Sequence, residues 1–263
     1  MKWLKVLNKN FTCEIILNRP EIRNAFNPEM IEEITQVFTH LPETTRVVVL
    51  RGAGDVFCSG ADLEWMKSMV HFSFDENKQD SLKLYNMFKA IKNCPVPVLT
   101  VVQGAAMGGA LSLMAAADVV IAVESTKFCF SEVKLGLAPA VISSFVLAKV
   151  SRGVIEPWMI TGKVFDVLEA QRQGLVHQVV KLEDLTKAVD AWVTAILEAA
   201  PEAVKATKKL VQQVQEWNEE QQKEMTATLI ATRRVSKEGQ EGLKAFLEKR
   251  APSWKELQKE SST

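Results

Sequence analysis

The chain has 263 residues, 47% hydrophobic and 24% charged, a composition that places it among globular proteins long enough to bury a large core. Its 32 basic and 32 acidic side chains cancel, so no net field draws it to nucleic acid or an anionic membrane surface, and a single Tyr argues against a base-stacking face. Cys13, Cys58, Cys94 and Cys129 include no CxxC pair, and His40, His71 and His177 lack HxH or HxxxH spacing, which speaks against a disulfide scaffold or a metal site.

The first residues, Met1 to Lys9, alternate as a strand does and carry no apolar core with a small-residue cleavage site. No apolar stretch approaches the ~20 residues of a spanning helix, so a soluble, cytoplasmic protein is expected. Residues 2–8 and 11–17 read as paired strands around a Lys9-Asn10 turn. Asn27-Pro28 is a helix start, and Ile31, Ile34, Val37 and Phe38 follow at helical spacing. Residues 46–51 are a continuous apolar run, the pattern of a strand buried on both faces. Ser81 to Lys92 reads as a helix, residues 96–102 as a strand, and another helix begins near Gly108. Residues 119–123 make a further strand, and His177 falls in an apolar strand-like run with its ring hydrogen-bonded. This alternation predicts an α/β layered core.

After residue 180 the pattern becomes almost wholly helical over 182–199, 202–217 and 219–250. A boundary is therefore expected near residue 190: a core of 1–190 carrying the site, and a helical region of 191–263 whose apolar stripes have no sheet to cover and call for another subunit. Two glycine-bearing turns hold the chemistry. Gly104 to Ser112 leads from a strand into a helix, whose first N–H groups and partial positive charge suit an oxyanion. Phe57 to Asp62 repeats the logic, with Gly60 making room and the Ala61 N–H free to face a cavity. Taken singly, each turn is equally well explained as close helix packing or as a loop capped by Asp62. Their pairing after successive buried strands sharpens the functional reading.

Asn18-Arg19-Pro20 with Asn24-Ala25, Phe57 to Leu63, Gly104 to Gly109 and Phe130 to Pro139 together resemble the enoyl-CoA hydratase/isomerase (crotonase) superfamily. Thr161-Gly162-Lys163, Ala170 to Val176 and Phe246 to Arg250 extend the match over essentially the whole chain. The resemblance implies a spiral of ββα repeats with a helical C-terminal trimerisation region, assembled as a trimer or a hexamer of two trimers, and an acyl-CoA substrate. It implies an oxyanion hole made by the N–H groups of Ala61 and Gly109, gripping a thioester oxygen as an enolate forms. CoA would lie along Arg23, Asn24 and Ala25 and the Ala61-Asp62-Leu63 turn, with Phe246 and Lys249 at its adenosine end, from the same or a neighbouring subunit. Read from the residues alone, Lys249 is equally a solvated helix-end charge.

Glu132 follows the apolar edge Lys127 to Phe130. By itself it is a surface glutamate beside a helix; the resemblance makes it the acid/base, its pKa raised by burial. Ser112 departs from the family pattern, because two-carboxylate hydratases carry a glutamate there. A serine hydroxyl can orient water but is a poor base. Three activities follow: a hydratase using Glu132 with water held by Ser112, a Δ3,Δ2-enoyl-CoA isomerase shuttling one proton, or a non-catalytic homologue that binds CoA esters or RNA. Pro139 to Ser143 is a second departure, replacing a glycine-rich turn, and the Leu135 to Ser143 run resembles the methylglutaconyl-CoA hydratase subgroup, which also tends to lack the first glutamate. Hydration of an α,β-unsaturated acyl-CoA is thus the expected reaction, with no metal or redox cofactor, since Gly104 to Gly109 lacks GxGxxG spacing. Trp65, Met66 and a mobile segment over His71 to Asp80 are expected to shape the acyl end.

Overall fold

The computed structural model describes residues 1–255. Residues 256–263, the last part of the expected helical region, lie outside the described residues. In chain order the elements are β1 (Leu4–Lys9), β2 (Thr12–Leu17), α1 (Pro28–Thr39), β3 (Val47–Gly52), α2 (Leu63–Met69), α3 (Phe74–Lys92) and β4 (Val98–Val102). There follow β5 (Ala105–Met107), α4 (Ala110–Ala116), β6 (Val119–Val123), β7 (Lys127–Cys129), α5 (Ala140–Val146), α6 (Arg152–Thr161), β8 (Phe165–Asp166) and α7 (Val167–Arg172). The last elements are β9 (Gln178–Val180), α8 (Leu185–Glu198), α9 (Pro201–Gln213), α10 (Glu219–Val235) and α11 (Lys237–Leu247).

A six-stranded sheet runs β1-β2-β3-β4-β6-β9, parallel except for the β1–β2 hairpin, and a three-stranded sheet runs β5-β7-β8. The chain climbs as a spiral. β4 joins the large sheet, β5 the small one, and α4 closes the turn; β6, β7 and α5 repeat the course. The β3 repeat does the same in miniature, because Cys58 bridges Ala106 beside the small sheet before α2 begins. This is the ββα spiral the motifs imply.

Local chemistry explains most boundaries. Asn27 caps α1 by accepting the Met30 N–H at 2.9 Å, Pro28 occupies the first turn, and Met30, Ile31, Ile34, Val37 and Phe38 bury its inner face. The strands β3, β4 and β6 are buried on both sides, as their unbroken apolar runs require. One side meets the main core through Val48, Leu50, Val98, Val102 and Val120. The other side, through Val49, Leu99, Val101 and Ile121, meets Ala188, Val189, Trp192 and Val193 of α8.

Two expectations change here. Residue 190 falls inside α8, and α8 covers the sheet, so the helices without a sheet beneath them begin only at α9. The His71 to Asp80 segment holds a helix start: α3 begins at Phe74, seven residues before Ser81, because Ser73 and Glu76 close a reciprocal capping box. All four cysteines are buried free thiols. His177 sits just before β9, its Nδ1 accepting the Val120 N–H at 2.9 Å. Among the described residues, no helix is long and apolar enough to cross a membrane and no group of acidic, His and Cys side chains could hold a metal ion.

Candidate active site

The two glycine turns are brought together by backbone bonds. The Phe57 N–H donates to Gln103 O at 2.8 Å, the Cys58 N–H to Ala105 O at 3.2 Å, and the Met107 N–H to Cys58 O at 3.1 Å. Gly60, at φ +92°, sits so close that a Cβ on it would lie 2.8 Å from Met107 O. Only glycine permits both that backbone angle and that approach.

Phe26 then fixes both expected donors. Its N–H donates to Gly60 O at 2.9 Å and its carbonyl accepts the Asp62 N–H at 3.0 Å, bracketing Ala61. The Ala61 N–H between them has no partner among the described residues. The Phe26 ring lies on Gly109, where a Cβ would come within 2.5 Å of its Cζ, and the Gly109 N–H likewise has no partner among the described residues. Two backbone N–H groups without partners among the described residues, one from each turn, are thus both set by the same aromatic residue. Phe26 was not singled out in the sequence. Its only signal there was its place as the apolar residue just before an N-cap.

Glu132 joins this site through Gly108, the residue before the second donor. Gly108 has φ +52°, its N–H donates to Cys129 O at 2.9 Å, and a Cβ there would lie 2.8 Å from Glu132 Oε1. Glu132 begins a short 3-10 turn over Glu132–Leu135, just after β7. Its Oε2 is buried with no hydrogen-bond partner, and burial pushes its carboxyl above the ordinary glutamate value. Its own backbone N–H opposes that rise, and burial outweighs it. The Ser131 hydroxyl, not singled out in the sequence, would lie 3.6 Å from that same Cβ on Gly108.

Ser112 is placed differently from expectation. It is fully buried on α4, and its hydroxyl donates, over a long 3.4 Å, to the Ile142 carbonyl in α5. It therefore faces a helix rather than open water. The two departures from the family pattern, Ser112 and the Pro139 to Ser143 run, are consequently one contact.

The expected CoA residues divide into three groups. Arg23 is exposed at a left-handed bend, and its carbonyl accepts the Ser59 N–H at 3.0 Å, so it borders the first turn. Ala25 is buried, and Leu63 is 73% exposed at the start of α2. Asp62 is committed internally: it pairs with Arg19 at 2.6 Å, both side chains 9% exposed, and caps α2 by accepting the Glu64 N–H at 2.7 Å. Burial raises the Asp62 carboxyl, but the Glu64 N–H and Arg19 outweigh it and hold the group below its ordinary range. Trp65 is buried against Phe26, ring centroids 6.2 Å apart, and Met66 is half-buried. Phe246 and Lys249 are exposed at the end of α11, whose polar bonds run to α9 and to the segment after it. Within one chain they are not joined to the two turns by any hydrogen bond or ion pair of the described residues.

The enoyl-CoA hydratase/isomerase family model matches residues 8–258. A crystal structure of an enoyl-CoA hydratase from Shewanella pealeana superposes with a TM-score of 0.92 at 36% identity, covering 96% of each chain. Another, an enoyl-CoA hydratase from Mycobacterium smegmatis, gives 0.91 at 28% identity over 96% of this chain and 98% of that one. An enoyl-CoA hydratase of Alternaria alternata is 32% identical over 217 residues, 81% of this chain and 71% of its own.

Proposed function

The chain belongs to the enoyl-CoA hydratase/isomerase family, and from that premise we propose that it adds water to an α,β-unsaturated acyl-CoA thioester with Glu132 as its acid/base. The observation that carries this reading is Glu132, its Oε1 against Gly108 and its buried Oε2 without a hydrogen-bond partner, together with the unpartnered Ala61 and Gly109 N–H groups of the two turns. The thioester oxygen accepts hydrogen bonds from Ala61 and Gly109. Glu132, ionised, takes a proton from water as the oxygen attacks C3, and the electron pair of the double bond moves to the thioester oxygen. The enolate charge so formed strengthens both donor bonds, an effect worth ~3 kcal/mol per donor in comparable sites. Glu132 then returns the proton to C2, and the sum is one water added across C2 and C3. The Ser131 hydroxyl supplies the second contact that holds the water, while Ser112 acts from behind by seating α5. Adding water across C2 and C3 forms one C–O and one C–H bond with no net change of oxidation state, so the step needs no redox group; CoA is part of the substrate.

CoA runs past Arg23, Ala25 and the Ala61-Asp62-Leu63 turn, whose shape the Asp62 carboxylate holds by pairing with Arg19. The apolar side chains of α11, with Phe246 81% and Leu247 78% exposed, support assembly into a trimer or a pair of trimers in which Phe246 and Lys249 reach the CoA of another copy. A second reading is a Δ3,Δ2-enoyl-CoA isomerase, favoured by the burial of Ser112 where a second carboxylate would stand. The test is loss of enone thioester absorbance from crotonyl-CoA, run beside a 3-enoyl-CoA. Faster reaction of crotonyl-CoA is expected; faster conversion of the 3-enoyl thioester with no hydration would replace the hydratase reading by the isomerase one.

A further inference from the structure

A cavity of about 830 Å³ is lined by no residue of the two turns. Pro97 and Val119 line it at the N-terminal ends of β4 and β6, whereas the turns follow the C-terminal ends of β3 at Gly52 and β4 at Val102. Helices α5, α8 and α9 close its sides. Its walls are apolar at Ala115, Val119, Phe145 and Val204. Cavities of this size and lining, with a few fixed polar groups, are the usual form of a small-molecule site.

The charges in it do not balance locally. Asp118 Oδ2 accepts the Val98 N–H at 2.7 Å and pairs with Lys208 at 2.6 Å; the Lys208 side chain is only 8% exposed and also donates to Val96 O at 2.9 Å. Lys149 donates to the Ala117 carbonyl and forms no ion pair among the described residues. Lys92 and Glu216, also in the lining, carry opposite charges. Two ammonium groups therefore share one engaged carboxylate, and the uncompensated one is Lys149. Burial, with Lys208 adding to it and Asp118 opposing, lowers the Lys149 ammonium to about 8. A desolvated charge with only a carbonyl partner is costly, and an anion placed against it removes that cost.

We propose that this cavity binds a free monocarboxylate with an apolar body, its carboxylate on Lys149 and its chain along Ala115, Val119, Phe145 and Val204. A neutral amphiphile would leave the ammonium unbalanced, and a compact polyanion would leave the apolar walls wet. The site is independent of the reaction at Glu132.

Calorimetric titration of the full chain with sodium octanoate, with octan-1-ol as the neutral control, tests the assignment. Octanoate should bind once per chain, more tightly than octanol, and saturating CoA should not displace it. Repeating the titration in buffers of different ionisation heat should show proton uptake above about pH 8 and none well below it, because the bound carboxylate restores the Lys149 charge. Asp118, Lys208 and the nearby His177 imidazole are the other charged or titratable groups acting on that ammonium. Lys149→Met should weaken binding by about tenfold or more, the loss of one bond to a charged group, and abolish the uptake. Thr207→Trp, at an exposed lining position, should weaken binding with the lysine intact. The proposal is overturned if octanol binds as well as octanoate, if CoA displaces it, if octanoate does not bind at millimolar concentration, or if Lys149→Met leaves binding and uptake unchanged.

Discussion

Gly109→Ala should separate the packing role of the second turn from its chemical role. The new Cβ would sit 2.5 Å from Phe26 Cζ, against 3.4 Å for the nearest ordinary contact, so about 0.9 Å must open between turn and ring. Overpacking of this kind costs ~1–3 kcal/mol of stability, a fall of several degrees in Tm for a chain of this length. A donor bond tolerates far less movement than 0.9 Å before it is lost. Losing one oxyanion donor lowers kcat by ~10²–10³-fold. Crotonyl-CoA hydration should accordingly show that loss in kcat with KM changed little, because the donors are proposed to act mainly on the developing enolate. Phe26→Leu should then rescue: in the double variant the ring tip is gone, and Tm and part of kcat should recover beyond the sum of the single effects. If Gly109→Ala loses stability but keeps kcat within a few-fold, the turn is a packing device only. If Phe26→Leu rescues neither property, the ring is not what seats the donor.

Ser112→Ala should cost ~1 kcal/mol by leaving the Ile142 carbonyl short of a partner while keeping turnover, whereas Ser131→Ala should lower kcat with Tm unchanged; steady-state kinetics and thermal unfolding of both variants decide. Asp62→Asn should destabilise by ~3 kcal/mol at pH 7 by stranding buried Arg19. Because the folded Asp62 pKa is depressed, its contribution is complete above the ordinary value of 3.8 and fades as pH falls through the folded one, so denaturation curves of parent and variant should converge in acid. The profile of kcat/KM against pH should rise with a midpoint above the ordinary glutamate value of 4.5, because Glu132 must be ionised to accept a proton and burial raises its pKa. A profile flat through that range would remove Glu132 as the base.

The parts of the fold that local chemistry dictates were readable. Asn27-Pro28 caps α1 whatever surrounds it, and unbroken apolar runs mark β3, β4 and β6 as doubly buried. The small sheet was not readable, because strands of two or three residues such as β8 and β5 are too short to show a period. The start of α3 escaped because its first two turns are mostly polar and its buried face begins only at Met87; the Ser73 and Glu76 pair was the available signal. The two turns and Glu132 stand out in the sequence through ordered motifs, and the structure sets them side by side through Cys58, Met107 and Gly108. Phe26 does not stand out there, because it acts through a ring contact 83 residues from Gly109 that no local pattern encodes. The Ser112 contact with Ile142, 30 residues away, was hidden for the same reason.

The central claim is that one carboxylate, Glu132, carries the proton in both halves of the reaction. Crotonyl-CoA hydration by the parent and by Glu132→Gln, measured beside their thermal unfolding, addresses it most directly. The account predicts that turnover by the variant is lost while CoA-ester affinity is kept. It also predicts that the variant unfolds at no lower temperature at neutral pH, because removing an ionised group whose folded pKa is raised removes a destabilising charge. Retained hydration by a folded Glu132→Gln variant would contradict it.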